Sequence, residues 1–537
     1  MKRFFSSLAE GLLEPRRGGL VLFLCLAWLT LLAGIRPLML PDEGRYVGVA
    51  WGMLSSGDWL VPTLDGLPFF HKPPLFYWLT GLALQVFGSN DWAARLASVI
   101  GAALATGALY LFVSRHGDKR LAGVSAVVLV SQPMFFAGAQ YANLDMLVAG
   151  MISATIVCGA SAILRLDRGL PYRTVLAAAY VFAALGVLAK GLIGFVLPGA
   201  VLLAWLLLGK RYRLIPALLS LPMLLLFVAV AAPWFLWMQK SYSGFWDYFF
   251  VYHHFQRFAH SGFSNARPFW FYLPVVLLGA LPWSPWIVRL GAPKFLVDPP
   301  RCEMRSLMIV WLLAILVFFS WPNSKLIGYI FPALPPLAYL LADAILTWLQ
   351  KRQDAQRADA SGYLGGSVLL AGSLCVAFVA LVGQFDPTST RALSRQVAPL
   401  FSADDQLVMI DEYEYDLPFY LRARKNSWVV SDWQDADIPL RDNWRKELFD
   451  AGRFAPIKAQ EVLLLAGELA PRLCALGSGT VWIWGKTAQA ARYPFLSQQT
   501  VAFSDGKKAV WRFDDAQRRR LAECAARSPA PGFPGAG

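Results

Sequence analysis

The sequence has little charge for its length. Charged residues make up 16% of the 537 positions, whereas hydrophobic residues make up 57%. A soluble fold of this length has no means of covering so much apolar surface, but a lipid bilayer solvates the outer face of an apolar helix. The composition therefore excludes an ordinary soluble protein and predicts a polytopic membrane protein.

A basic stripe on a soluble face is also missing. The net charge is +14, but the cations lie in short loops between apolar runs, where the positive-inside bias places them. This distribution argues against a nucleic-acid partner and leaves membrane lipids as the surroundings of the chain. The six cysteines have no metal-ligand spacing, and only Cys474 and Cys524 fall where a disulfide is plausible.

Apolar runs of spanning length predict an all-α membrane bundle with about 11 spans. The first run, Gly18 to Leu40, is too long for a cleavable signal peptide and is expected to remain as a helix. Leu75–Phe87 is apolar but short, as expected of a re-entrant or interfacial helix, and the number of spans is left open up to 13. The runs are 18–38, 92–114, 121–140, 146–164, 174–188, 190–208, 214–237, 269–289, 306–321, 326–349 and 361–383.

Loop charges predict the orientation of the bundle. When the N-terminus is placed in the cytoplasm, the cation-rich loops all fall on the cytoplasmic side, around Arg115, Arg165, Lys210, Arg301 and Lys351. The two long loops, 41–91 and 238–268, then lie on the outer side. An odd number of spans places the C-terminal segment outside the cytoplasm as well.

The composition changes near residue 384. Residues 384–527 are predicted to form a small soluble α/β domain, after a membrane domain at 1–383, and the tail 528–537 is expected to be disordered. No part of this C-terminal segment has the pattern of a binding site. The predicted strands are 406–411, 427–431 and 480–484, the predicted hairpin is 501–511 with Asp505-Gly506 at its turn, and the predicted helices are 417–424 and 459–476.

Charged groups of the first outer loop fall in short motifs. Asp42, Glu43 and Arg45 follow the first span directly, and His71-Lys72 precedes two prolines. Two prolines fix the backbone beside Lys72, which suits a cation held towards a phosphate. The alternative is that these charges only anchor the chain at the membrane interface, as snorkelling side chains do.

Further ionisable residues lie between apolar runs. Asp145 and Lys190 are flanked so closely by apolar sequence that each needs a partner or a wet cavity, which leaves a functional role and a structural ion pair both open. On the second outer loop, His253 and His254 precede Arg257, and Lys325 and Tyr329 follow at the outer end of a later span. The residues alone predict an outer-face site for a phosphorylated lipid.

The motif series resembles one family. Seven motifs between about residues 20 and 345 are similar to those of the aminoarabinose transferases of lipid A, which belong to the polyprenyl-phosphate-dependent type-C membrane glycosyltransferases. The motifs begin at Asp42 (DEGRY), Ser56 (SGDW), His71 (HKPPL), Ala189 (AKG), His254 (HFQRF), Pro268 (PFWFY) and Ser324 (SKL).

The resemblance implies an activity and roles for residues. It implies transfer of a sugar, 4-amino-4-deoxy-L-arabinose, from undecaprenyl phosphate to lipid A at the outer face of a bacterial inner membrane, with the C-terminal domain in the periplasm. Asp42 and Asp145 take the catalytic carboxylate positions, and Arg45, Lys72 and Lys190 bind the donor phosphate. The residues expected to line the cavity are Glu43, Tyr46, His71, His254, Arg257, Lys325 and Tyr329.

One position departs from the family pattern. His71 stands where the family usually has Glu, a residue associated there with a metal, so that a divalent metal shared by His71 and His254 is left open. Two other functions also stay open. One is an enzyme of the same superfamily that glycosylates a protein or another envelope glycan. The other is a transporter of lipid-linked sugars, although the sequence has no internal repeat that favours it.

Overall fold

A computed structural model describes residues 10–256, 266–291, 301–354, 360–384, 388–497 and 499–525. The chain is predominantly helical, with one larger sheet near its C-terminus. It divides into two compact units, which we call the membrane unit and the α/β unit. The membrane unit consists of Met1–Arg36, His71–Thr80 and Asp91–Phe385, and the α/β unit of Pro37–Phe70, Gly81–Asn90 and Asp386–Gly537.

The membrane unit contains helices long and apolar enough to cross a bilayer. Within the described ranges there are seven of them, or up to nine when two bent helix pairs each count as one span. The seven are Asp91–His116, Leu144–Asp167, Arg173–Lys190, Leu221–Ser241, Cys302–Ser320, Ile327–Arg352 and Gly362–Gly383. The chain is therefore a multi-pass membrane protein, as its composition predicts.

The two bent pairs coincide with predicted spans. Lys119–Val130 and Pro133–Ala139 meet at 70°, and Phe269–Gly279 and Ser284–Gly291 meet at 114°. Pro133 and Pro282 lie at these breaks, and a proline cannot continue the helical hydrogen-bond ladder. The remaining shorter helices of this unit are Pro15–Arg17, Gly18–Leu31, Ile193–Leu208, Tyr212–Leu214, Ile215–Leu218 and Asp247–Gln256, and Leu75–Phe87 has residues in both units.

Burial separates central helices from peripheral ones. The most apolar stretch of Leu144–Asp167 is 89% buried and that of Ile327–Arg352 is 94% buried, whereas that of Leu221–Ser241 is only 22% buried. Large apolar side chains such as Leu225 and Leu236 are exposed on the peripheral helix. Lipid solvates such a face, so the central helices can hold polar groups and the peripheral ones cannot.

A six-stranded mixed sheet forms the core of the α/β unit. The predicted strands and the predicted hairpin are confirmed. The strands of this sheet are β3 Gln406–Ile410, β4 Trp428–Val430, β5 Leu463–Leu464, β6 Val481–Lys486, β7 Val501–Ser504 and β8 Lys508–Phe513; the short β1 Thr63–Leu64 and β2 Leu67–Pro68 pair separately. The order across the sheet is β5-β4-β3-β6-β8-β7. Neighbours among β5, β4, β3 and β6 are parallel, and β8 is antiparallel to both β6 and β7.

One predicted helix of this unit is wrong in extent. The segment 459–476 is divided into Pro456–Val462, β5 and Ala466–Ala475, because Leu463 and Leu464 pair with β4 at the edge of the sheet. Sheet pairing thus overrides the helical preference of a leucine-rich run. The other helices from residue 388 onward are Arg391–Val397, Leu417–Leu421, Ile438–Leu440, Trp444–Gly452, Thr487–Arg492, Pro494–Ser497 and Asp515–Ala525.

Most of the first outer loop belongs to the α/β unit. A helix, Asp42–Ser56, ends at Gly57, whose φ of 74° closes the last turn, and the β1–β2 hairpin follows. The predicted domain boundary at residue 384 lies next to the point, Phe385, where the membrane unit ends. The predicted partner of Cys474 stays untested, because the side chain of Cys524 lies outside the described residues.

Candidate active site

The first-loop helix presents carboxylates at its N-terminus. Asp42 and Glu43 occupy its first turn, where unpaired backbone N–H groups favour negative charge. Glu43 is fully buried and accepts a hydrogen bond from the backbone N–H of Met39 at 2.9 Å. Asp42 is 39% exposed. Of the two adjacent carboxylates, Asp42 is therefore the one available to a ligand, and Glu43 closes the turn before the helix.

Arg45 joins two carboxylates of the α/β unit. Its Nη2 contacts Asp42 and its Nη1 contacts Glu447, which lies on the helix Trp444–Gly452. The Tyr415 hydroxyl donates to the second oxygen of Glu447 at 2.7 Å. Burial by itself lowers the pKa of Arg45, but Glu447 and the neighbouring acidic groups outweigh it and raise that pKa well above its ordinary value. The guanidinium stays charged.

Aromatic rings enclose this guanidinium. The Arg45 guanidinium carbon lies 5.3 Å from the centre of the Tyr46 ring and 6.0 Å from that of Tyr415. Burial and the Glu447 carboxylate raise the pKa of Tyr415 well above its ordinary value, so its hydroxyl remains a donor. Both rings favour the cation and limit its movement.

Glycines bring this helix close to its neighbours. A Cβ atom added to Gly44 would lie 3.0 Å from Cβ of Tyr415, and one added to Gly48 would lie 2.9 Å from the Tyr415 backbone oxygen. A Cβ atom added to Gly52 would lie 2.8 Å from the backbone oxygen of Thr63. The three glycines are four residues apart and share one helix face, so this face packs backbone against backbone.

A second ion pair lies inside the membrane unit. Asp145 is in the first turn of Leu144–Asp167, and Lys190 is the last residue of Arg173–Lys190. The Lys190 ammonium contacts Asp145 and lies 4.5 Å from the centre of the Tyr329 ring. Asp145 is 6% and Lys190 12% exposed. The structural pair that the sequence left open is thus present, and Tyr329 is part of it.

The remaining predicted residues occupy varied settings. His71 and Tyr248 have ring centres 5.9 Å apart, and Lys72 is partly exposed just before Leu75–Phe87. Lys325 is buried, and its ammonium donates to the backbone oxygens of Arg267, at 3.1 Å, and of Pro322. Arg257 and the side chain of His254 lie outside the described residues.

The described part of the chain contains no complete set of ligands for a metal ion. No three His, Cys, Asp or Glu side chains there form a group that would hold an ion. A metal shared by His71 and His254 stays untested, because the His254 side chain lies outside that part.

Comparison with known proteins identifies the family. The undecaprenyl phosphate-alpha-4-amino-4-deoxy-L-arabinose arabinosyl transferase of Pseudomonas paraeruginosa is 30% identical over 501 residues, which are 88% of this chain and 87% of that relative. This chain belongs to that arabinosyl transferase family. An arabinosyl transferase 1 of Sodalis glossinidius is 37% identical over 60% of this chain, and the chain spans 58% of that relative's length.

Structural and family comparisons agree with membership of the arabinosyl transferase family. The crystal structure of ArnT from Cupriavidus metallidurans bound to undecaprenyl phosphate has a TM-score of 0.74 at 23% identity, over 92% of this chain and 97% of that one. This match shows a shared fold. Residues 71–237 also match the model of the dolichyl-phosphate-mannose-protein mannosyltransferases.

Sequence reasoning missed two members of the Arg45 cluster. Glu447 and Tyr415 contact Arg45 or its partner from the segment that was expected to hold no site. Arg45 and Glu447 are 402 positions apart, and no local pattern connects them. The spacing of Gly44, Gly48 and Gly52 was the one available signal, because it predicts a helix face built for close packing.

Proposed function

We propose that this chain transfers 4-amino-4-deoxy-L-arabinose from undecaprenyl phosphate to lipid A at the outer face of the bacterial inner membrane. The observation that carries the proposal is the 30% identity over 87% of a relative whose name states this donor. The shared fold with a structure bound to undecaprenyl phosphate supports the same donor class. Lipid A as the acceptor comes from the resemblance of the motifs.

The proposed reaction is a substitution at the anomeric carbon of the sugar. An oxygen of a lipid A phosphate forms the new bond to that carbon from one face. The bond to the donor phosphate breaks on the other face, the configuration inverts, and undecaprenyl phosphate leaves with the electron pair. A phosphate acceptor is already ionised, so no strong base is needed. Asp42, the exposed carboxylate of its cluster, would hold the sugar amine or orient the attacking group.

Cations would stabilise the charge that grows on the leaving phosphate. We assign this role to Lys72 and Lys190, which belong to the membrane unit. Lys190 contacts Asp145, so the phosphate has to compete with that carboxylate for the ammonium. Arg45, which the resemblance also assigns to the phosphate, already contacts two carboxylates.

Mass spectrometry of lipid A tests the proposal. Lipid A would be compared between cells that lack the protein and cells that express the wild type, Asp42→Asn or the matched control Asp437→Asn, an exposed carboxylate in a surface pair with Arg441. We expect an aminopentose-sized increment with the wild type and the control, and a far smaller one with Asp42→Asn. No increment with the wild type would overturn the assignment of donor and acceptor.

A protein acceptor is the second candidate. The match of residues 71–237 to the protein mannosyltransferases favours it specifically. The same cells distinguish the two, because this activity leaves lipid A unchanged and adds a sugar mass to envelope proteins.

We also propose eleven crossings, with the N-terminus in the cytoplasm and the α/β unit in the periplasm. In addition to the nine spans counted by length, we include the helices Gly18–Leu31 and Ile193–Leu208. Their 14 and 16 residues extend about 21 and 24 Å, so they cross where the membrane is locally thinner. Alkaline phosphatase fused after residue 388 should be active, and fused after residue 168 inactive. The reverse result would overturn this topology.

A further inference from the structure

The carboxyl edge of the sheet in the α/β unit is where such folds ordinarily bind ligands. β3 has a parallel neighbour on each side, β4 and β6, and ligands of open α/β sheets lie outside the carboxyl ends of such strands. Here ion pairs occupy part of that edge: Asp411, directly after β3, contacts Arg492, and Glu412 contacts Lys486.

The first-loop helix packs against the segment that leaves this edge. Tyr415 and Asp416 follow β3 by a few residues. A Cβ added to Gly44 would lie 3.0 Å from Cβ of Tyr415 and 3.2 Å from the backbone nitrogen of Asp416. Backbone contact of this kind fixes a helix more firmly than contact between flexible side chains. Asp42 and Arg45 on the first turns of this helix are thereby held relative to the sheet.

The Glu447 carboxylate holds the Arg45 guanidinium in place. Its two carboxylate oxygens are both used, one by Arg45 and one by the Tyr415 hydroxyl, and its side chain is only 8% exposed. A carboxylate this enclosed is stable only when it is paired, and it fixes the guanidinium in one place. The other end of the guanidinium contacts Asp42, which is the exposed member.

We infer that Glu447 and Tyr415 are positioning residues for Asp42, acting through Arg45 within the α/β unit. This inference rests on the proposed function, because it gives Asp42 a role in sugar transfer. It assigns Arg45 to orienting Asp42. Removing Glu447 should leave substrate binding nearly intact and disturb the geometry of the reacting groups.

Steady-state transfer by the full chain in detergent, with purified undecaprenyl-phosphate aminoarabinose and lipid A, tests the inference. For Glu447→Gln we expect kcat to fall about 30-fold, the scale of a misplaced group, with the donor KM within about threefold of the wild type. Tyr415→Phe should lower kcat less. The matched control is Asp450→Asn, which changes a similarly enclosed carboxylate, paired with Lys446, on the same helix. Its kcat should stay within about twofold of the wild type, because this pair does not include Arg45.

A double variant separates positioning from lost stability. If Glu447 acts through Asp42, adding Glu447→Gln to Asp42→Asn should lower the residual rate no further, whereas general damage would multiply the two losses. Thermal unfolding midpoints confirm that each variant is folded. An active wild type with Glu447→Gln equal to Asp450→Asn, or multiplied losses, would overturn the inference alone. A wild type that transfers no aminopentose would overturn the proposed function and, with it, this role.

Discussion

The pair Asp145–Lys190 and the cluster Asp42–Arg45–Glu447 balance charge in different ways. In the membrane unit one carboxylate meets one ammonium, and both are nearly enclosed. In the α/β unit two carboxylates share one guanidinium, and Asp42 keeps 39% of its side chain exposed. The first is a neutral, closed pair, whereas the second has one negative charge in excess on the residue that faces outward.

This difference assigns the two groups different tasks. A buried neutral pair contributes little net stability, but it is costly to break on one side only. Its cation becomes useful to a phosphate only when Asp145 is displaced. An open carboxylate beside a fixed guanidinium is ready for a positively charged or hydrogen-bonding partner, such as a sugar amine. Substitutions that change one partner at a time test this contrast.

The largest effect is expected at Lys190. Lys190→Met leaves the Asp145 carboxylate enclosed without its ammonium, which should cost about 3–5 kcal/mol of unfolding free energy and abolish transfer. The double variant Lys190→Met/Asp145→Asn should recover most of the stability but no activity. Thermal unfolding in detergent and the transfer assay measure the two quantities separately.

Lys240→Met is the control for this change, since Lys240 is exposed at the end of Leu221–Ser241. It should alter neither stability nor transfer. If the double variant regains activity together with stability, Lys190 is a structural residue only, and its assignment to the donor phosphate is wrong.

The second effect concerns the glycine face that supports Asp42. Gly48→Ala places a methyl group 2.9 Å from the Tyr415 backbone oxygen, and the forced shift should cost about 1–3 kcal/mol. The rate of sugar transfer should fall by more than the lost stability explains, because the helix carries Asp42. Gly467→Ala is the matched control in the same unit, since a Cβ there meets nothing within 4 Å. Equal behaviour of the two variants would contradict this account of the helix.

Local signals predicted much of the fold. Each of the eleven apolar runs overlaps a helix or a bent helix pair, and β3, β4, β6 and the hairpin at Asp505-Gly506 were expected from short buried runs and turn residues. Asp145 and Lys190 were singled out because charge beside apolar sequence is costly. Asp42 and Arg45 were singled out because they follow the first span directly and belong to one of the family's motifs. These features depend only on residues that are close together in the sequence, so one sequence is enough to predict them.

The sequence alone does not show which distant residues contact each other. Nothing near Glu447 distinguishes it from a surface glutamate of a short helix, and its role follows only from the fold, which brings Arg45 to it across 402 positions. Likewise, Asp145 and Lys190 each require a partner, but the sequence does not state that they satisfy each other. The strand at Leu463 depends on a vacant sheet edge beside β4.

Replacing the guanidinium of Arg45 tests the cluster Asp42–Arg45–Glu447 with a smaller expected effect. Arg45→Lys keeps the charge but removes the fork that contacts two carboxylates at once. We expect kcat to fall about 10-fold, with the unfolding midpoint nearly unchanged, because one ammonium still pairs with the enclosed Glu447. Activity equal to wild type would mean that the fork does not orient Asp42, and that Glu447 and Asp42 act independently.

The last effect is a pH dependence of stability that arises from the enclosed carboxylates of the α/β unit. Burial raises the pKa of Glu414 to about 7, although Lys508 beside it lowers it. Burial likewise raises the pKa of Asp416 to about 6. Between their ordinary values and these raised ones, the folded chain holds protons that the unfolded chain has released. The free energy of unfolding should therefore rise as the pH falls from 7.5 to 5.

Glu414→Gln should remove part of this slope, since glutamine does not titrate. Glu461→Gln, at an exposed position of the same unit, should keep the wild-type slope. Thermal unfolding of the full chain across this pH range measures all three proteins. A slope of the opposite sign in the wild type would mean that the Lys508 contact outweighs burial and that Glu414 is ionised in the folded state. The enclosed carboxylates would then resemble the neutral pair of the membrane unit, and the excess charge of Asp42 would remain peculiar to the Arg45 cluster.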